Sequence, residues 1–183
     1  DEAISHQIGK LSLLGEETLT QIKVASVLHD VGKIAIPVEI LEKPGKLTQQ
    51  EFEIMKNHSR VGYNILSDLN IDDIRNIAAL HHEKIDGTGY PFGLKGEELS
   101  IEARIVAIGD IISALFGARS YKEAFNKDKI IKIIEAMVRS NKIDSEIAVL
   151  FINNYDFIMK EALEGSNELM EVYMNLNIEY NIL

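Results

Sequence analysis

A chain of 183 residues, 46% apolar and without cysteine, is long enough for one well-filled core and excludes disulfides and thiolate metal sites. Its formal net charge of −10 argues against contact with a nucleic-acid polymer, which needs a basic stripe. No apolar run reaches membrane-spanning length and no signal-peptide pattern opens the chain, so no membrane contact and a cytoplasmic setting are expected. The start at Asp1 reads as a cut-out piece, and an upstream sensor domain is expected beyond it.

Three prolines, no tryptophan and few alternating segments predict an all-α protein. Residues 3–13 read as a short helix broken at Gly15. Leu19, Ile22, Ala25 and Leu28 form the apolar stripe of the next helix. It closes in His29-Asp30-Val31-Gly32-Lys33, with Gly32 as its C-terminal stop. Lys43-Pro44-Gly45 is a turn. Thr48-Gln49-Gln50-Glu51 matches a capping box that opens a long helix. There Phe52, Met55, Val61, Ile65 and Leu69 are expected to face the core, with His58 on the same stripe. Asp72 is expected to cap a helix whose stripe Ile74, Ile77 and Ala78 leads to His81.

The stretch from His81 to Pro91 reads His-His-Glu-Lys-Ile-Asp-Gly-Thr-Gly-Tyr-Pro. Adjacent helical residues point about 100° apart, so His81 and His82 suit two neighbouring metals, or a metal and a substrate. Asp86-Gly87 and Gly89 mark a turn that needs positive φ or close approach to a ligand. Tyr90, held by Pro91, would present a flat ring beside the histidines. Taken alone, the stretch fits equally well an ordinary helix C-terminus followed by a turn.

Ser100 is expected to cap a helix running to about Gly117. Ile101, Ile105, Ile108, Ile112 and Leu115 make one face, and Asp110 lies opposite among Ala103, Val106, Ala107 and Ala114. A helix apolar on both sides is buried, and a carboxylate inside it needs a cation or several donors. Arg119, Tyr121 and Lys122 follow, two cations beside an aromatic. Two amphipathic helices come next, one with Ile130, Ile134, Met137 and Val138, the other starting near Asp144 with Ile147 and Phe151. From Tyr155 to Leu183 two further helical patterns flank Gly165-Ser166-Asn167 and carry no readable chemistry. No internal repeat occurs.

Four of the five histidines lie at helix ends or on core stripes, with Asp30 and Asp110 at similar positions. One such histidine is more often a satisfied core residue, by about three to one. Four of them with two carboxylates reverse that expectation, and the donor set suits Fe, Mn or Zn.

The chain resembles the HD-GYP family, a branch of the HD phosphohydrolases. The resemblance rests on His29-Asp30-Val31-Gly32-Lys33, on Lys43-Pro44-Gly45 with His58, and on His81-His82-Glu83, Asp86-Gly87 and Gly89-Tyr90-Pro91. Asp110 and Arg119-Ser120-Tyr121-Lys122 complete it, over a core of roughly residues 18–152. It implies a single all-α domain, a helical bundle around a bi- or trinuclear metal centre, with residues 153–183 as a C-terminal helical extension. His29, Asp30, His58, His81, His82 and Asp110 would be the ligands of Fe or Mn, with Asp30 bridging. The implied activity is hydrolysis of cyclic di-GMP to pGpG or GMP in bacterial signalling, with Asp30 and Lys33 catalytic. Lys33, Asp86, Gly89, Tyr90, Arg119 and Lys122 would contact substrate.

Three departures from the family pattern matter. Ser120 replaces a proline. Ser113 replaces an aspartate that reads guanine, which leaves cyclic GMP-AMP open as substrate. Glu2 and His6 have the Glu-x-x-x-His spacing of a third metal site but lie about ten residues too close to His29. They are either ligands of a third metal or a coincidental exposed pair. The rival readings are a cyclic-dinucleotide-binding module that signals by occupancy, and another HD-type hydrolase of nucleotides, which the Gly-Tyr-Pro turn disfavours. A homodimer stays open.

Overall fold

Apolar stripes spaced for helices become helices around one core. The computed structural model describes residues 1–117 and 127–165. Its helices are α1 (Glu2–Leu11), α2 (Glu16–Leu28), a short α3 (Val38–Leu41), α4 (Gln49–Ser67), α5 (Asp72–Ala79), α6 (Ile101–Gly117), α7 (Lys127–Arg139) and α8 (Ser145–Asn153). Residues 155–165 form a further helix, α9. No strand occurs among the described residues. The expected helical pattern beyond Gly165 lies outside them, as do Arg119, Tyr121 and Lys122.

The organising rod is α6, against which α1, α2, α5, α7 and α8 all pack. Ile105, Ile108 and Ile112 on one side and Ala103 and Val106 on the other are all buried, which is the two-sided burial its sequence predicts. Ile4 and Ile8, Ile22, Ile77, Ile130, Ile134 and Phe151 bring the neighbouring helices onto it. Each such side chain contributes about 1.5–3 kcal/mol by leaving water. Local signals fix the helix starts. Thr48 and Glu51 form the reciprocal capping box of α4. Ser100 Oγ accepts from the Ala103 N–H at 3.3 Å, and Asp144 Oδ1 from the Glu146 and Ile147 N–H groups.

Three expectations need correcting. Asp72 is not a cap: Ile71 holds that position, and Asp72 stands in the first turn of α5, where it pairs with Arg75 at 2.7 Å. The largest correction concerns α4, whose buried face is His58, Ser59, Gly62 and Leu66, while Phe52, Ile65 and Leu69 are exposed. The tight turn Val31–Ala35 after α2 presses onto α4. A Cβ on Gly32 would overlap the His58 carbonyl oxygen and lie 2.5 Å from the Gly62 nitrogen. Only small residues permit that approach, so α4 turns its Ser59–Gly62 side inward rather than its large apolar side. Gly32 is therefore not a left-handed helix stop, and it is absent from the positive-φ glycines.

Gly32→Ala should consequently destabilise the protein by about 1–3 kcal/mol through overpacking against backbone. Gly62→Ala, whose added Cβ would meet Gly32 N at an ordinary 3.5 Å, should be nearly silent. Urea unfolding of both variants checks this, and equal effects would refute the asymmetry.

Candidate metal centre

Three histidines are set by the same local bond. His29 ends α2, His58 lies within α4 and His81 follows α5. Each places Nδ1 on the carbonyl oxygen three residues earlier, Ser26 at 2.8 Å, Met55 at 2.7 Å and Ala78 at 2.7 Å. A carbonyl only accepts, so Nδ1 carries the proton and the Nε2 lone pair of each neutral ring is left to point elsewhere.

Those lone pairs converge. The Nε2 atoms of His58 and His81 are 3.3 Å apart. Asp30 Oδ1 lies 3.5 Å from the first and 4.0 Å from the second. The other oxygen of Asp30 is 3.2 Å from His29 Nε2, which is itself 3.7 Å from Asp110 Oδ1. His82 Nδ1 stands 3.9 Å from Asp110 Oδ2. The six residues singled out from the sequence thus meet in one cluster, with the Asp30 carboxylate spanning its two halves. Two imidazole lone pairs facing each other at 3.3 Å repel unless a proton or a cation stands between them, and mixed nitrogen and carboxylate donors suit a divalent ion. Three overlapping groups have ligand atoms close enough to share one: His58, His81 and His82; His29, Asp30 and His81; and Asp1, His29 and Asp110.

Asp1 joins the cluster as well. Its Oδ2 is buried without a hydrogen-bond partner, 3.3 Å from His29 Nδ1. Glu2 and His6 belong to none of these groups. Glu2 reaches Lys23 at 3.4 Å, while His6 has a buried Nδ1 without a partner and helps line a cavity between α1, α6 and α9. Ser113 lines the same cavity, and its Oγ accepts from the Asp1 amino group at 2.9 Å.

The electrostatics keep most of these imidazoles neutral. Burial pushes the His81 pKa well below its ordinary 6.5, reinforced by His82 and His29. Burial, then His58 and Lys84, brings His82 down to about 3, and burial lowers His58 as well. His29 differs: burial lowers it, but the hydrogen bond and charge of Asp30 outweigh burial and raise it. Burial also works against charged Asp30, yet His29 and Lys33 hold its carboxyl well below the carboxylate range. For Asp110, burial, opposed by His29 and joined by the charge of Asp30, pushes the pKa up.

The pH consequence follows in sign. Below the ordinary 6.5 the unfolded chain protonates His58, His81 and His82, while the folded metal-free chain resists it. Stability is then lost as pH falls from 6.5 towards the folded values, at up to about 1.4 kcal/mol per pH unit for each histidine. His29 contributes oppositely, with stability present below 6.5 and lost as pH rises through its raised value. His6 is lowered like the three, while the raised Asp110 acts with His29; four outweigh two, so the Tm of metal-stripped protein should fall between pH 7 and pH 5. A thermal melt series in matched buffers tests this, and a flat profile would contradict the burial of these rings.

A loop after His82 forms the rim. Glu83, only 2% exposed, follows the paired histidines, and its carboxylate accepts from the N–H groups of Phe92, Gly93 and Leu94 at 2.7, 3.0 and 3.1 Å. The glycines are explained by this folding-back. Gly87 and Gly93 have φ of +79° and +71°, and a Cβ on Gly89 would overlap the main chain of Glu83 and Lys84. Gly89 thus permits backbone against backbone. Asp86 also has its partners in and around the loop. Its Oδ1 accepts from the N–H and hydroxyl of Thr88 at 3.0 and 2.7 Å, and its Oδ2 from Lys142 Nζ at 2.6 Å, so its acceptors serve the loop itself.

Tyr90 stands where the sequence put it, with its ring 4.7 Å from that of His82 and tilted by 40°. Burial, then Asp110 and Asp30, raises its pKa, so the phenol keeps its proton. Phe52, expected in the core, is 42% exposed and meets Tyr90 edge-on at 6.3 Å, with Lys56 Nζ over both rings. Lys33 Nζ lies 2.5 Å from Asp30 Oδ2. Of the expected substrate contacts, Lys33 and Tyr90 are therefore at the cluster, Asp86 and Gly89 build the loop, and Arg119 and Lys122 lie outside the described residues.

A helical bundle with histidines and aspartates turned inward from a His-Asp turn, a mid-helix histidine and a His-His pair defines a candidate metal-binding domain. The sequence model of the HD domain matches residues 1–147, and the chain belongs to that family, in its HD-GYP branch. It is similar to the cyclic di-GMP phosphodiesterase response regulator RpfG of Xanthomonas campestris pv. campestris, 47% identical over 141 residues, 74% of this chain and 37% of that protein. It is also similar to 3′3′-cGAMP-specific phosphodiesterase 2 of Vibrio cholerae, 40% identical over 158 residues, 85% of this chain and 29% of that protein. The chain thus spans about a third of the length of these relatives.

Among solved structures it is similar to Bd1817, an HDG"Y"P protein from Bdellovibrio bacteriovorus, with a TM-score of 0.67 and 19% identity over 84% of this chain and 49% of that one. The HD domain of L. monocytogenes phosphodiesterase PgpH, in complex with cyclic-di-AMP, matches with a TM-score of 0.60 and 17% identity over 92% and 88%. At such identities the likeness is one of fold.

If Glu83 holds the rim as its bonds indicate, Glu83→Ala removes the shared acceptor of three part-buried N–H groups, at about 0.5–1.5 kcal/mol each. A drop of several degrees in Tm, with faster amide exchange at Phe92, Gly93 and Leu94, is the expected result. Unchanged exchange there would refute the role.

Proposed function

We propose that this domain is a metal-dependent phosphodiesterase that hydrolyses a cyclic dinucleotide, with cyclic di-GMP as its main substrate. The observation that carries this reading is the convergence of three inward Nε2 atoms and the Asp30 carboxylate beneath the Tyr90 ring. His29, Asp30, His58, His81, His82 and Asp110 would hold the ions, with Asp30 offering one oxygen to each half of the cluster. Iron or manganese fits a donor set of imidazole and carboxylate without thiolate. Ions there supply Lewis acidity, which makes water nucleophilic at neutral pH and offsets charge on the phosphoryl oxygens.

The remaining steps belong to the chain. Lys33 places an ammonium beside Asp30, where it can stabilise the negative charge that builds on the phosphate in the transition state. Tyr90, neutral and half-buried, offers its face to a nucleobase, and stacking of this kind contributes about 1–3 kcal/mol per base. Attack at phosphorus breaks the bond to the 3′ oxygen and opens the ring to a linear dinucleotide, and a second round gives mononucleotides. The relatives bear the names of enzymes for cyclic di-GMP and for 3′3′-cGAMP. The Ser113 hydroxyl is engaged by the Asp1 amino group, so it supplies no choice between guanine and adenine. The domain would act in the cytoplasm, joined to a sensor domain.

Asp30→Asn keeps the shape and removes the charge. It should lose metal and lower kcat for cyclic di-GMP by at least about a hundredfold. Tyr90→Ala should keep metal and raise KM roughly tenfold. Metal analysis with product chromatography, on both cyclic di-GMP and 3′3′-cGAMP, measures each. Full turnover by Asp30→Asn with metal retained would refute the mechanism.

A further inference from the structure

The connection between α7 and α8 lies far along the chain from every motif of the metal centre, yet it grips the loop that carries Tyr90. Lys142 Nζ donates to Asp86 Oδ2 at 2.6 Å and to Thr88 Oγ1 at 2.7 Å. The main-chain oxygen of Lys142 accepts from the Ile85 N–H at 3.1 Å. Asp86 in turn bonds the N–H and hydroxyl of Thr88, so one ammonium closes a ring of contacts around the turn.

The same connection holds the far end of the loop. Arg104 of α6 donates to the Leu99 carbonyl at 2.9 Å, to the Gly96 carbonyl, and to Asp144 Oδ2 at 3.0 Å. Glu83 fixes the residues after Pro91, and Lys142 fixes those from Ile85 to Thr88. Tyr90 stands between these two anchor points. An exposed ion pair alone would contribute little to such a role. Here a single half-exposed ammonium reaches a carboxylate and a hydroxyl at short range, and its own backbone joins the loop. Lys142 first, then Thr88, pulls the Asp86 carboxyl down to about 2, as expected of a carboxylate held charged by its partners.

We infer that Lys142 is a positioning residue: through Asp86 and Thr88 it sets where Tyr90 stands over His82, and so tunes affinity for the cyclic dinucleotide without touching substrate or metal. This inference rests on the phosphodiesterase reading above. A misplacement of about 1 Å in a substrate-positioning group is enough to cost one or two orders of magnitude in efficiency.

The test is Lys142→Met, which keeps the aliphatic stem, beside Lys142→Arg and Thr88→Val, each studied in the metal-loaded protein. Lys142→Met should raise KM for cyclic di-GMP roughly tenfold while kcat stays within about twofold. Metal per chain and turnover of bis(p-nitrophenyl) phosphate, which has no base to stack on Tyr90, should stay as in wild type. Amide exchange at Thr88 should quicken. Lys142→Arg should recover most of the affinity, and Thr88→Val should shift KM the same way by less. Wild-type KM and wild-type exchange in Lys142→Met would overturn the inference. So would a parallel loss of metal and of small-diester turnover, since Lys142 would then act through the centre or the fold. If wild-type protein cleaves the small diester but neither cyclic dinucleotide, the functional reading fails, and exchange at Thr88 still decides whether Lys142 orders the loop.

Discussion

The metal cluster depends on one close contact, that of Gly32 with the backbone of α4. Asp30 and His58 come from segments nearly thirty residues apart, and nothing local forces them together. They meet because a residue without a side chain lets the turn after α2 rest against the His58 carbonyl. That contact also dictates which side of α4 is inward, and thereby displaces Phe52 from the core to the rim beside Tyr90. A requirement of backbone packing thus determines both the ligand geometry and part of the surface a substrate would meet.

Within that frame the histidines need little further direction. The bond from Nδ1 to the carbonyl three residues earlier is made by each ring with its own helix. It fixes tautomer and orientation together, so the cluster forms from three independent local events rather than from one long-range network. The result leaves facing lone pairs beside two half-buried carboxylates. Such an arrangement suits a cation, whose binding would add to the stability of the folded state.

Much of this was legible in the sequence. Helix spacing, the Thr48 box, the Ser100 and Asp144 starts and the two-sided burial of α6 all follow from local pattern. The six candidate ligands could be named because histidines on core stripes and a carboxylate inside an apolar helix demand a reason. The rotation of α4 was not legible, since period alone cannot tell which of two semi-apolar faces a glycine elsewhere will select. The intraloop contacts of Asp86 and Gly89 were not legible either, since they arise from how the turn folds back on Glu83. A signal for Glu83 was present: an acid beside a run of glycines, whose N–H groups need an acceptor. Asp1, Arg104 and Lys142 gave none, as their roles arise only from tertiary neighbours.

The rod-like α6 carries Arg104, which holds the rim loop, and Asp110, which faces the histidines. Six residues separate them, about 9 Å along the axis. The helix thus works as a ruler, and the distance from rim to centre is written in its residue count. A single inserted residue between the two would swing one against the other by about 100° and lengthen the interval by about 1.5 Å. An insertion or deletion within this interval of helix therefore shifts the rim against the centre.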